Sequence, residues 1–297
     1  MPIKRKLKTS TKFKVSVVTP TRNRSKLLEK CLASLTSQTI RPHEIIIVDN
    51  NSTDNTKKII SKYKSRIDIK YIYLNQGTYP EFYNSGIYQA SGQIIAFLDD
   101  DCIADKNWVR NTIIAHNKYP NSIIQGYTTS LPKGNIYAQI MGSHYLCWLE
   151  GNFISKNHLR VLDNKNASGP TSIIKKYKFS KDMSRGSEDI ELAKRLLRDG
   201  IPIIYYPKVK AFHHERDTLK GFLIQHLRIA ISESYLDKQL SADEKINMIL
   251  NKKNLLIVKS FIKTQFKFLR KLDVFSSLYL TFLYFLLIVV RFYGYSK

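Results

Sequence analysis

The chain has 297 residues, a length that suits one large α/β domain with an appendage. Its 43% hydrophobic and 24% charged content is a globular balance, and with no low-complexity tract or fixed-period repeat it excludes fibrous, solenoid and disordered proteins. Lys and Arg number 48 against 24 acidic residues, a net charge of +24, so a polyanionic partner is expected: nucleic acid, an anionic bilayer or a phosphorylated substrate.

Residues 1–13 read as a basic, mobile lead-in without the apolar run of a secretory signal. Val15-Ser16-Val17-Val18-Thr19 is a strand that Pro20 should stop. Ser25 should cap a helix whose apolar residues Leu27, Leu28, Cys31 and Leu32 fall at helical spacing. Glu44-Ile45-Ile46-Ile47-Val48 is an uninterrupted apolar strand of the kind a parallel sheet covered on both faces requires. It runs into the polar turn Asp49-Asn50-Asn51-Ser52-Thr53-Asp54. A helix through Ile59 and Ile60, a strand at Ile67–Leu74 and a helix near Tyr83–Ala90 continue the alternation, which reaches the strand Ile94–Leu98 and the triplet Asp99-Asp100-Asp101.

This alternation predicts an α/β fold with a mostly parallel central sheet and helices on both faces. Ligands of such sheets collect at the carboxyl ends of the strands. Three of those ends are polar here: Thr21 and Asn23, then Asp49 and Asn50, then the aspartates. The α/β domain is expected over 14–215 and a helical extension over 216–250. In 251–273 seven basic residues interleave with apolar ones, and Val274–Val290 is 17 residues without a charge. Residues 251–297 therefore read as a basic amphipathic helix feeding a hydrophobic membrane-attachment segment, lying on the bilayer or spanning it once. With only Arg291 and Lys297 beyond the run, the positive-inside bias puts the α/β domain on the cytoplasmic face. The cysteines, Cys31, Cys102 and Cys147, are odd in number and widely spaced, which fits a reducing compartment.

Three adjacent carboxylates repel one another, so a fold that gathers them at a strand end needs a compensating cation. Hard oxygen ligands suit Mg²⁺ or Mn²⁺ bridging to substrate phosphates, although a solvated acidic turn also fits the triplet taken alone. Side-chain oxygens of Asp49 and Asn50 can accept from the N–H edge of a pyrimidine, and the same turn can simply cap the following helix. Ser187 can cap a helix with Glu188, Asp189 and Glu191 in its first turn. Asp189 is also placed to act as a general base. His213 and His214 follow the strand-like Ile203–Tyr206; one of them could complete a metal site, or the pair could simply pack.

Taken together, these segments resemble family 2 glycosyltransferases, the inverting group with the GT-A fold. The resemblance covers roughly 14–215 and rests on four motifs in order: Val15–Arg24, Ile47–Asp54, Asn84–Asp101 and Gly186–Leu192 followed by Gly200-Ile201-Pro202. It implies that Thr19, Thr21 and Asn23 line the nucleotide pocket and that Asp49 and Asn50 meet the base. Asp99 and Asp100 would face ribose and phosphates, Asp101 with His213 or His214 would hold Mg²⁺ or Mn²⁺, and Asp189 would be the catalytic base. The implied activity is non-processive hexosyl transfer from a UDP- or dTDP-linked sugar to a glycan or lipid-linked glycan of the cell surface. Two positions depart from the pattern. Asn50 replaces a common Asp, and Tyr83 stands where many relatives carry Arg, which leaves one phosphate contact open.

The competing readings are a nucleotidyltransferase on a similar sheet and a basic nucleic-acid-binding protein. The second has no use for an aspartate triplet, which repels phosphates without a metal, and no recognisable nucleic-acid motif is present, so no nucleic-acid partner is expected. Gln225-His226-Leu227-Arg228-Ile229 lacks the Trp of the QxxRW segment of processive synthases.

Overall fold

The computed structural model describes residues 13–131, 135–183 and 186–238. The lead-in up to residue 12, the extension beyond 238 and the expected membrane-attachment segment 251–297 lie outside the described residues.

The chain opens with β1 (Val15–Thr21), α1 (Ser25–Thr36), β2 (Glu44–Asn50), α2 (Thr56–Lys64), β3 (Ile69–Leu74), α3 (Tyr79–Gln89) and β4 (Ile94–Leu98). It continues through β5 (Cys102–Ala104), α4 (Trp108–Lys118), β6 (Ile123–Ser130) and α5 (Ile136–Gly151). The last elements are β7 (His158–Leu159), β8 (Asn166–Pro170), α6 (Thr171–Tyr177), α7 (Glu188–Arg198), β9 (Ile203–His213) and α8 (Leu219–Lys238). One sheet runs β3-β2-β1-β4-β8-β6-β9-β5, with β7 on β9. The run from β3 to β4 is parallel, whereas β8 is antiparallel to both β4 and β6, and β6 and β9 are parallel.

The apolar run of β2 behaves as its sequence requires. Ile45 and Ile47 join the core beneath α1, while Ile46 and Val48 join the core on the opposite face beneath α3, and all four are fully buried. Burying each such side chain contributes about 1.5–3 kcal/mol. On the α3 side the approach is close: a Cβ on Gly86 would lie 2.4 Å from Cγ1 of Val18, so α3 can rest on β1 only with glycine there.

Three local expectations are corrected. β1 runs through Pro20, which pairs with Val48, because the β1–β4 ladder has already ended at Val18–Phe97 and the missing N–H faces no strand there. Ser25 does not cap α1 with its side chain; its N–H donates to Asp54 Oδ2 at 2.9 Å, and Asp54 Oδ1 accepts from the Thr56 N–H at 3.0 Å. One carboxylate from the β2 loop thus caps both α1 and α2. Ser187 does not cap α7 either: it sits at φ 63°, and its hydroxyl meets that of Ser232 on α8 at 2.5 Å. Among the described residues no helix is long and apolar enough to cross a membrane.

Candidate active site

The carboxyl ends of β1, β2 and β4 form one polar rim. Directly after β4, Asp99 Oδ1 accepts from the Tyr83 hydroxyl at 2.6 Å and Asp100 Oδ2 accepts from the Thr21 hydroxyl at 2.7 Å. Arg24, between β1 and α1, places Nη1 at 2.9 Å from Asp100 Oδ1 and at 2.9 Å from Asp101 Oδ2. Across the sheet, Nε2 of His213 at the end of β9 lies 3.2 Å from Asp101 Oδ1, and its Nδ1 lies 2.9 Å from Glu215 Oε1. Of the two histidines, His213 brings its ring to Asp101; His214 meets it through the backbone, donating its N–H to the Asp101 carbonyl at 2.8 Å.

Electrostatics follow from this placement. Burial, then the charge of Asp101, pushes Asp99 above the ordinary carboxylate range, and the same two causes push Asp100 up. For Asp101 burial works in the same direction, but His213 and Arg24 outweigh it and hold it well below that range. Burial disfavours the imidazolium of His213, yet Asp101 and Glu215 lift its pKa to about 10. The triplet therefore has the compensating charge that its repulsion demands, and in this structure the chain itself supplies it through Arg24 and His213.

The donor set fits a divalent cation. Asp101 offers a carboxylate oxygen and His213, once it gives up its proton, would offer an imidazole nitrogen, a mixed set that would suit Mn²⁺ or Mg²⁺. Asp101 Oδ1 is buried and meets no hydrogen-bond partner among the described residues, an oxygen that a cation could take up. Among the described residues no three His, Cys, Asp or Glu side chains converge into a ready-made cage, so the chain offers a partial site.

Toward the β2 edge, Asp49 Oδ1 accepts from the Ser52 N–H at 3.0 Å and Oδ2 from the Tyr71 hydroxyl at 2.8 Å. Asn50 follows it, half-buried at the strand end. Asn23, in the left-handed region at φ 51°, accepts from the Thr53 N–H at 2.8 Å and donates its own N–H to Ser52 Oγ at 2.9 Å, lacing the β1 and β2 loops together. Thr21 is buried and acts on the rim from behind through Asp100. Thr19 is completely buried, and its hydroxyl meets no hydrogen-bond partner among the described residues.

The other half of the site stands on α7. Glu188 Oε1 accepts from Asn164 Nδ2 at 3.0 Å, which docks the turn before β8 onto the helix start. In that turn the Asp163 N–H donates to Gln125 Oε1 at 2.8 Å, and Lys165 Nζ lies 3.3 Å from Asp163 Oδ2. Asp189 Oδ1 accepts from the Ile190 N–H at 2.8 Å. Burial, then Glu188 and Asp163, pushes Asp189 well above the ordinary carboxylate range, while Lys165 draws it back. The same ammonium acts on Asp101, so both carboxylates lie within electrostatic reach of one side chain. A carboxylate with a raised pKa is suited to take a proton from a hydroxyl.

Sequence reasoning missed Arg24, Glu215, Tyr71, Tyr73 and the Asp163–Lys165 turn. Arg24 closes the first motif and Glu215 follows the histidine pair, so position was a usable signal. Tyr71 and Tyr73, whose hydroxyls donate to Asp49 and Asn51, face the rim through the β2–β3 register, which no local pattern carries.

A profile of the family described as Glycosyl transferase family 2 matches residues 16–182. Glycosyltransferase AglE of Haloferax volcanii is 37% identical over 133 residues, 43% of this chain and 41% of that protein. A Campylobacter jejuni protein, GalNAc(5)-diNAcBac-PP-undecaprenol beta-1,3-glucosyltransferase, is 44% identical over 93 residues, 30% of this chain and 29% of its own length. The chain thus spans less than half the length of these relatives. The mannosyltransferase PcManGT from Pyrobaculum calidifontis, solved with GDP-Man and Mn²⁺, superposes with a TM-score of 0.62 at 15% identity, over 96% of this chain and 84% of that one. S. aureus TarS 1–349 with UDP-GlcNAc superposes with a TM-score of 0.57 at 17% identity, over 88% and 76%. These likenesses speak for the fold, the family match covers more than half of the chain, and the motifs in that span are those assembled on the rim: the chain belongs to glycosyl transferase family 2 and has the GT-A fold.

Proposed function

We propose that the protein is an inverting, metal-dependent glycosyltransferase that moves a sugar from a nucleotide-sugar donor to a hydroxyl of a glycan or lipid-linked glycan, without processivity. The observation that carries the proposal is the approach of His213 to Asp101 at the end of β4, an oxygen–nitrogen pair formed across the sheet at its polar rim. Relatives of the same fold were solved with UDP-GlcNAc and with GDP-Man and Mn²⁺, which supports a nucleotide-sugar donor and a divalent ion here.

In this reading Asp49 and Asn50 receive the base and Asn23 holds the loop around it. An amide oxygen at Asn50 accepts from a uracil or thymine N–H, which favours a UDP- or dTDP-linked donor. Asp99 and Asp100 face ribose and phosphates, and Asp101 with His213 would hold Mn²⁺ or Mg²⁺, which when bound would supply Lewis-acid compensation for charge on the departing diphosphate. Asp189 removes the proton of the acceptor hydroxyl, whose oxygen attacks the anomeric carbon from the face opposite the leaving group. One displacement inverts that carbon, with no covalent enzyme intermediate. The C. jejuni relative's name includes an undecaprenol carrier, which supports a lipid-linked acceptor and association with a membrane; the basic residues of 251–273 before the uncharged run favour the cytoplasmic face.

The test is a screen of nucleotide sugars for Mn²⁺-dependent donor hydrolysis and for transfer with inversion. Release of pyrophosphate instead of a nucleoside diphosphate would identify a nucleotidyltransferase. Fractionation of cells expressing the full chain and a version ending at Ser241 tests membrane attachment: both versions in the soluble fraction would refute it.

A further inference from the structure

We infer that the outer faces of α1 and α2 form a basic platform that docks on an anionic phospholipid bilayer. The inference rests on the membrane reading above and adds a contact on the folded domain, separate from residues 251–297. The exposed positions of α1 are Lys26, Lys30 and Ala33, and those of α2 are Lys57, Lys58, Ser61, Lys62 and Lys64. None is acidic. The two helices lie side by side: Lys62 Nζ is 2.6 Å from Glu29 Oε1, and the Tyr63 hydroxyl donates to the Glu29 carbonyl at 3.4 Å. Where both helices end, Arg41 Nη1 donates to the Arg66 carbonyl at 3.2 Å. The two arginines, with Thr36, Ser37 and Ser65, line a cavity of about 440 Å³ between the helix ends.

The needs of the fold do not account for this charge. Lys26 lies in the first turn of α1, and Lys57 and Lys58 lie in the first turn of α2. The helix dipole disfavours cations there, and neither first turn holds an acid. Lys62 pairs with Glu29, but among the described residues the other five lysines form no ion pair. Like charges gathered in this way repel one another, and a surface of opposite charge relieves them. A bilayer suits the chemistry. The cavity flanked by Arg41 and Arg66 offers guanidinium and hydroxyl donors to a head-group phosphate. No exposed position of either helix carries an aromatic ring on which a base would stack, which disfavours a nucleic acid. Asp54 accepts from the N–H groups of Ser25 and Thr56, which open the two helices, so the platform begins at the rim. Docking it sets the rim beside the bilayer, where a lipid-linked acceptor would lie.

The test treats the full chain with an amine-reactive reagent and reads each lysine by mass spectrometry. The chain is labelled free, on phosphatidylcholine vesicles, and on vesicles of phosphatidylcholine and phosphatidylglycerol in equal parts. Lys194, exposed on α7 across the sheet, is the internal reference. Lys26, Lys57 and Lys58 should be shielded on the anionic vesicles alone. A second chain with Lys26→Gln, Lys57→Gln and Lys58→Gln keeps residues 251–297 intact. Its preference for the anionic vesicles should fall on the order of 10²-fold, about fivefold for each basic side chain removed. The same substitutions remove charges opposed to the helix dipoles, so the melting temperature should not fall. Binding to anionic vesicles with these three lysines labelled as freely as Lys194 overturns the inference and leaves the membrane reading standing. No binding to either vesicle overturns both. Shielding by duplex DNA without shielding by the vesicles overturns it in favour of a nucleic acid. If residues 251–297 alone saturate binding, so that the preference does not change, the labelling decides.

Discussion

Glu44 at the amino end of β2 is as fully enclosed as Asp100 just beyond the carboxyl end of β4, 0% against 2% exposed, yet the two carboxylates are held in opposite electrostatic states. Glu44 Oε1 accepts from the Ser16 hydroxyl at 2.6 Å and from the N–H and hydroxyl of Ser91, each at 2.7 Å; Oε2 lies 2.6 Å from Lys70 Nζ. Burial alone would raise its pKa, but Lys70, Ser16 and Ser91 bring it down to about 2. At the other end, Asp99 and Asp100 are driven upward by burial and by Asp101. The floor of the sheet surrounds one carboxylate with donors, whereas the rim sets three carboxylates against one another. The lesson is that burial does not fix the state of an acid; its neighbours do. The floor is arranged for stability, and the rim holds charge that a ligand can relieve.

The largest effect is expected on the α7 side of the rim. Asp189→Asn should keep donor binding and lose transfer by about 10²- to 10⁴-fold, the usual loss on deleting a general base. Single-turnover transfer assays check it, and a near-wild-type rate would reduce Asp189 to a helix-terminal acid. Next, Asp101→Ala should weaken Mn²⁺-dependent binding of a nucleoside diphosphate by about 10- to 100-fold, as loss of a metal-site residue does. Calorimetry with and without Mn²⁺ reads this directly, and unchanged affinity would end the metal assignment.

On the floor the loss should appear in stability. Glu44→Gln should destabilise the fold by roughly 1.5–3 kcal/mol, the range for hydrogen bonds to a charged group. The depressed pKa of Glu44 gives the sign of its pH dependence. Its contribution is complete above the ordinary value of 4.5 and is lost as pH falls toward about 2. Urea unfolding across that window should slope in the wild type and flatten in Glu44→Gln; equal slopes would break the comparison.

The smallest effect is expected at Asp99, with the opposite sign. An acid whose pKa is raised on folding binds its proton better in the folded state, so its contribution declines as pH climbs from the ordinary carboxylate range toward neutrality. Asp99→Asn keeps an oxygen for the Tyr83 hydroxyl and removes that decline. Its melting temperature at neutral pH should rise by about 2–4 °C, the shift per kcal/mol for a domain of this size. A fall would place the rim on the same footing as the floor.

Much of the parallel half was legible in the sequence. Ile94–Leu98 matched β4 residue for residue, and β2 differed only in running on through Asp49 and Asn50, because continuous apolar runs and helical spacing are local signals. The strand through Pro20 and the false serine caps at Ser25 and Ser187 were misread because the ladder and the true partners come from other elements. The α3 start at Tyr79 could have been seen: Glu81 accepts from the Thr78 N–H at 2.8 Å and from its hydroxyl at 3.1 Å, a T-x-x-E pattern that is visible in the sequence.

By itself the sequence determined the α/β alternation, the polar ends of β1, β2 and β4, and family 2 membership. Each follows from residues close together along the chain. Tertiary structure alone decided that His213 brings its ring to Asp101 where His214 does not, and that Arg24 compensates the triplet from 76 and 77 residues away. It likewise decided that the turn before β8 supports the start of α7. The physical reason is register. A ladder sets which strand ends meet, and with them which charges share a cleft; local periodicity fixes each strand and leaves its neighbours undetermined.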